Sequence, residues 1–128
     1  MNKLDKESIL GIAALLVHAA NIDGIYSDHE KELICNFIKS YLDDDANLIL
    51  KKAEEIENNS NQLLNYTNII KGNSLEIKKD IIEHLWKVII SDNKVDQYES
   101  NLMRRICGLI YFPDKMSAEI KMKLLNKK

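Results

Sequence analysis

NIDGIYSDHE occupies residues 21–30, and ISDNKVDQYE follows at 90–99, sixty-nine positions later in register. Each stretch follows an apolar run of helical period. Each then presents an aspartate (Asp23, Asp92), a residue that readily turns left-handed (Gly24, Asn93), an N-cap residue (Ser27, Asp96) and a glutamate three positions after the cap (Glu30, Glu99). Glycine and asparagine are the residues that most readily adopt the left-handed conformation that ends a helix. A Ser or Asp followed three residues later by Glu is a capping box, in which two free helix amides are satisfied reciprocally. The repeated unit therefore reads as helix, left-handed stop, short turn, boxed start, helix.

The repeat extends outward from these corners. Sliding residues 12–38 onto 81–107 pairs Ile12 with Ile81, Leu16 with Leu85, Asp23 with Asp92, Glu30 with Glu99 and Leu33 with Leu102. Apolar character persists at further positions, such as Ala19 with Val88 and Phe37 with Ile106. Two copies at fixed spacing are the mark of a duplicated structural unit. The repeat halves span about 9–40 and 78–110, within a single domain over 1–128.

The rest of the chain is punctuated for helices. One proline and four glycines leave little material for tight β-turns, and no stretch alternates over a strand length. Asp5 caps a helix to about Asn21, with Ile9, Ile12, Ala13, Leu16, Ala19 and Ala20 on one face. Ser27 opens a second, striped by Leu33, Ile34, Phe37, Ile38 and Tyr41. The acids 43–45 mark a turn and a third helix near 45–58, and NNSN at 58–61 precedes a short fourth at about 61–70. Ser74 caps a long helix to about Ser91, Asp96 opens one to about Leu109, and Ser117 caps a last short helix ending near Leu125. The expectation is an all-α, single compact bundle of about seven helices containing two pseudo-symmetric helical hairpins.

Composition narrows the function classes. With 45% hydrophobic and 30% charged residues, a chain of 128 residues can bury a core without metal or disulfide staples. Eighteen basic residues against 20 acidic ones give a net charge of -2, which offers nothing for non-specific nucleic-acid binding. The basic tail Lys121, Lys123, Lys127 and Lys128 reads as a solvated terminus, with a weak membrane or partner contact as the alternative. Cys35 and Cys107 lie in apolar helical stretches without metal-ligand spacing and read as reduced, buried thiols of a cytoplasmic protein. ILGIAALLV faintly imitates a secretory signal, but Asp5 and Glu7 cancel Lys3 and Lys6, and the segment is the first half of the repeat. No apolar run approaches the roughly 18 residues of a spanning helix, so direct membrane insertion is not expected.

The corner acids carry what chemistry there is. Glu30 and Glu99 are accounted for by capping. Asp23 and Asp92 stand at helix C-termini, where the macrodipole disfavours a negative charge by a few tenths to about 1 kcal/mol. The first amides of the following helix can compensate them. The alternative is a bound cation, held by Asp23 with Asp28, by Asp92 with Asp96, or by both pairs; hard oxygen donors suit calcium or magnesium. An EF-hand is excluded, because a loop from Asp92 meets Gln97 and Met103 where glycine and a bidentate acid are required, and one from Asn21 meets Ile25 and Tyr26. His18, His29 and His84 share no ligand spacing, and no phosphate loop, dinucleotide fingerprint or nucleophile elbow occurs. Trp86, Tyr98, Tyr111 and Phe112 read as core residues, or alternatively as an aromatic contact surface near the second hairpin.

AALLVHAANIDGIYSDHEKELICNFI at 13–38, with IIEHLWKVIISDNKVDQYESNLMRRICGLI at 81–110, resembles the TerB-like domains of the tellurite-resistance-associated family. The family's mark is an Ala-rich helix, then A-x-x-D-G with a glutamate seven after the aspartate, repeated with pseudo-two-fold symmetry. The resemblance covers about residues 9–110; the second copy departs from it at Asn93, where glycine is usual. It implies a small cytoplasmic module linked to tellurite and other stress resistance, found alone or fused, including to membrane-anchored J-domain co-chaperones. It also implies a metal site at the acidic loops, which here maps onto Asp23, Glu30, Asp92 and Glu99. No His-Pro-Asp tripeptide is present, so a co-chaperone role would need a separate partner. The expected function is non-enzymatic: binding a protein partner of a stress-response system, with a divalent cation as the one cofactor the acids could hold. A metal-dependent hydrolase using the same acids and a homo-oligomeric scaffold are the rival readings.

Overall fold

A computed structural model describes residues 6–21, 26–43, 45–59, 67, 68, 70–90 and 97–126, with backbone alone at 97–100. Six helices are delimited among the described residues: α1 (Lys6–Asn21), α2 (Asp28–Tyr41), α3 (Ala46–Asn59), α4 (Leu75–Ile90), α5 (Gln97–Leu109) and α6 (Asp114–Asn126). No strand occurs among the described residues. The short helix expected at about 61–70 falls mostly on residues 60–66 and 69, outside the described residues; 67, 68, 70 and 71 are helical. Among the described residues the fold is therefore all-α, with six helices counted against the expected total of about seven.

α1 lies at the centre and packs against α2, α3 and α4. The sequence reading gave it one apolar face, but Ala14, Leu15 and Val17 are buried along with the expected Ile9, Ile12, Ala13, Leu16, Ala19 and Ala20. A helix apolar all round is an inner helix, and α1's alanines let neighbours approach on several sides. Each fully buried Ile or Leu contributes about 1.5–3 kcal/mol of transfer free energy. α2 adds Ile34, Phe37 and Ile38, and α4 adds Ile81, Ile82, Leu85 and Trp86 to the same core.

The helix boundaries follow local chemistry. Asp45 ends the turn before α3: its carbonyl accepts from Ile49 N at 3.2 Å and its carboxylate from Asn47 N at 3.0 Å. Ser74 does the same for α4, with Oγ accepting from Ile77 N at 3.3 Å. At the end of α5, Phe112 N donates to Cys107 O at 2.8 Å around Tyr111, whose φ is 60°. This is a Schellman closure with tyrosine at the left-handed position that glycine usually holds. α6 begins at Asp114, not at a Ser117 cap, because the Pro113 carbonyl already accepts from Ser117 N at 3.2 Å. α6 packs on α4 and α5.

Candidate functional site

The first corner is built at the start of α2. Ser27 holds an extended backbone (φ −84°, ψ 163°), so its hydroxyl can turn back over the helix amides. Ser27 Oγ accepts from Glu30 N at 3.2 Å, and Glu30 Oε1 accepts from Ser27 N at 2.7 Å. The anticipated capping box is present in full. It fixes a carboxylate that is only 6% exposed, at a helix N-terminus whose dipole favours negative charge.

α3 brings two further acids to this corner. The Tyr26 hydroxyl donates to Glu54 at 2.7 Å, and Asn21 Nδ2 donates to Glu57 at 3.2 Å. His18 Nδ1 lies 3.4 Å from the other Glu57 oxygen. Lys31 Nζ stands 5.1 Å from the centre of the Tyr26 ring, within cation–π range. Burial, then the hydrogen bond to Glu54 and then its charge hold the Tyr26 phenol well above its ordinary value. Glu54 and Glu57 lie three apart on one helix and share a face, Glu54 meeting Tyr26 and Glu57 meeting Asn21 and His18. Neither glutamate stands out in the sequence, because their partners stand 28 and 36 positions away.

Of the anticipated ligands, Glu30 is placed by the capping box and Asp28 is exposed in the first turn of α2. Asp23, Asp92 and Asp96 lie outside the described residues, and Glu99 is described only as helical backbone in α5. Among the described residues no three His, Cys, Asp or Glu side chains are grouped to hold a metal ion. The described donors fit a hard cation in kind, being carboxylates, but make a site only with acids from outside them. His29 is exposed beside Asp28.

The remaining reactive groups are structural. Cys35 and Cys107 are free and buried, and burial pushes both thiols above their ordinary value, which keeps them protonated. Ser117, expected as a helix cap, is buried and accepts from the Trp86 indole N–H at 2.9 Å. Trp86 and Phe112 belong to the core, as anticipated, whereas Tyr111 is 67% exposed with Lys71 Nζ 5.0 Å from its ring centre. The side chain of Tyr98 is outside the described residues.

These features define a helical module with an acid-closed corner on a central apolar helix. The family model described as Tellurite resistance protein TerB matches residues 10–122, and the chain belongs to that family. No curated protein and no solved structure matches the chain significantly. Among the described residues no helix is long and apolar enough to cross a membrane.

Proposed function

We propose that this TerB-family chain is a non-enzymatic cytoplasmic module that binds a protein partner of a tellurite- or stress-resistance system. In this reading a divalent cation, calcium or magnesium, is held at the acidic corners by Asp23, Glu30, Asp92 and Glu99, with Asp28 and Asp96 beside them. The observation that carries it is Glu30: a carboxylate 6% exposed and oriented by Ser27 N at 2.7 Å, so little ordering remains to be done on binding. The bound cation would neutralise Asp23 and Asp92, each two positions in sequence beyond the last residue of α1 or α4. A hydrolase built on the same acids has little support. Both thiols are held protonated, and the Ser27 hydroxyl is engaged by the start of α2.

Calorimetric titration of calcium, magnesium and zinc into chelator-stripped protein tests the cation. Saturable heat that disappears in Asp23→Asn, with helical circular dichroism unchanged, is the expected result. Absence of heat and of any melting shift for all three ions would remove the cation and leave the corner as a purely structural closure.

A further inference from the structure

A second surface, remote in sequence from the first corner, has its own chemistry. α4, α5 and α6 frame a groove of about 450 Å³, with exposed Ala118 on its apolar side above the buried Trp86 and Met103, and Arg104, Lys121 and Asp114 on its polar one. Lys121 Nζ sits 5.2 Å from the Trp86 ring centre, and Ser117 holds the indole N–H at 2.9 Å, so the ring plane is fixed beneath the ammonium. The charge of the chain is segregated toward this end. Residues 101–128 contain seven of the 18 basic residues and two of the 20 acidic ones, although the whole chain is net -2.

We propose that this groove docks an acidic peptide segment of a partner protein, its carboxylates meeting Arg104 and Lys121 and an apolar side chain lying on Ala118 and the Lys121 stem, above the buried Trp86. Charge complementarity selects the occupant, since two cations, Arg104 and Lys121, line the groove against the one carboxylate of Asp114. The groove's size and apolar side suit a side-chain anchor rather than a continuous charged surface. Asp114 breaks the positive surface that the continuous phosphates of a nucleic acid or an anionic membrane would need, whereas a peptide can place its carboxylates opposite Arg104 and Lys121 alone. The proposal names the partner's chemistry at a surface separate from the acidic corners, so the cation titration and the test below can fail independently.

Trp86 is the chain's single tryptophan, so its emission reports on this groove alone. The probe is a capped peptide of about ten residues, glutamate with leucine at every third position, matched by a version with glutamine for every glutamate. The expected result is a saturable change in Trp86 emission with the acidic peptide, weakening as salt rises. Lys121→Glu and Arg104→Glu should each lower the affinity about tenfold, with Lys121→Gln as the milder variant should charge reversal disturb α6. Equal binding of the glutamine peptide, or unchanged affinity in both reversal variants, would overturn the proposal. So would preferential binding of a single-stranded oligonucleotide, or of phosphatidylcholine vesicles containing phosphatidylglycerol. Low-salt dimerisation by light scattering that Lys121→Glu dissolves, without peptide binding, would assign the groove to a second copy of the chain and also overturn it.

Discussion

Tyr26 donates its hydroxyl proton to Glu54 at 2.7 Å, joining the residue just before the α2 cap to the middle of α3 across 28 positions. The first corner is thus held from two sides, by its own Ser27–Glu30 box and by acids borrowed from α3. The duplicated sequence discloses only the first of these. Whatever the corner binds, its geometry depends on α3.

Removing the phenol should loosen that connection and alter the alkaline limb of stability. A hydrogen bond to a charged partner contributes about 1.5–3 kcal/mol, less where water reaches it, so Tyr26→Phe should destabilise by about 1 kcal/mol near neutral pH. The Tyr26 proton is held more tightly in the folded state than at the ordinary tyrosine value of 10.0. Its contribution is therefore complete below pH 10 and declines as pH rises beyond that value. Melting temperatures from about pH 8 to about pH 11 should converge for wild type and Tyr26→Phe at the alkaline end. Parallel curves would show that the phenol titrates as it does in the unfolded chain.

Ser117 offers a test of the core beneath the proposed groove. Its hydroxyl satisfies the indole N–H of Trp86, which is 4% exposed. Leaving a buried donor without its acceptor costs about 1–3 kcal/mol, so denaturant unfolding of Ser117→Ala should lose that much. Were Ser117 only a helix cap, the variant would lower stability without disturbing Trp86. A red-shifted or quenched native emission is expected instead.

The starts of α2, α3 and α4 were legible because they rest on contacts within three or four residues. Ser27, Asp45 and Ser74 each stand where their side chains can reach the next turn's amides, and the structure places them there. The all-round burial of α1 was harder to read. Ala14, Leu15 and Val17 fall off the expected stripe, and only the arrival of α2, α3 and α4 on several sides explains them. The roles of Glu54, Glu57 and Ser117 stayed hidden for the same reason. Their partners Tyr26, Asn21 and Trp86 lie 28, 36 and 31 positions away, and no local pattern encodes such pairings.

Tyr111 should be improvable. It sits at φ 60° with 67% exposure, in a conformation that costs an L-residue roughly 1–2 kcal/mol and glycine almost nothing. Against this stands the ring's contact with Lys71, worth about 0.5–1 kcal/mol at an exposed site. Tyr111→Gly should therefore stabilise by up to about 1 kcal/mol, read from the urea midpoint at unchanged slope. A lower midpoint would mean that the ring's contacts outweigh the backbone strain.

Glu30 separates the structural role of the corner from its proposed ligand role. Glutamine at this position can still accept from Ser27 N, because a capping box takes either residue. Glu30→Gln should accordingly keep stability within about 1 kcal/mol of wild type, the main loss being the charge at the start of α2. Ser27→Ala, which deletes the other half of the box, should cost about 1 kcal/mol. Hard cations, by contrast, discriminate strongly between a carboxylate and a neutral amide. If the corner holds calcium or magnesium through Glu30, the glutamine variant will lose the calorimetric signal while melting almost as wild type does, and Ser27→Ala will show the opposite pattern. If both variants bind as wild type, Glu30 is a cap alone, and any ion must be held by the aspartates.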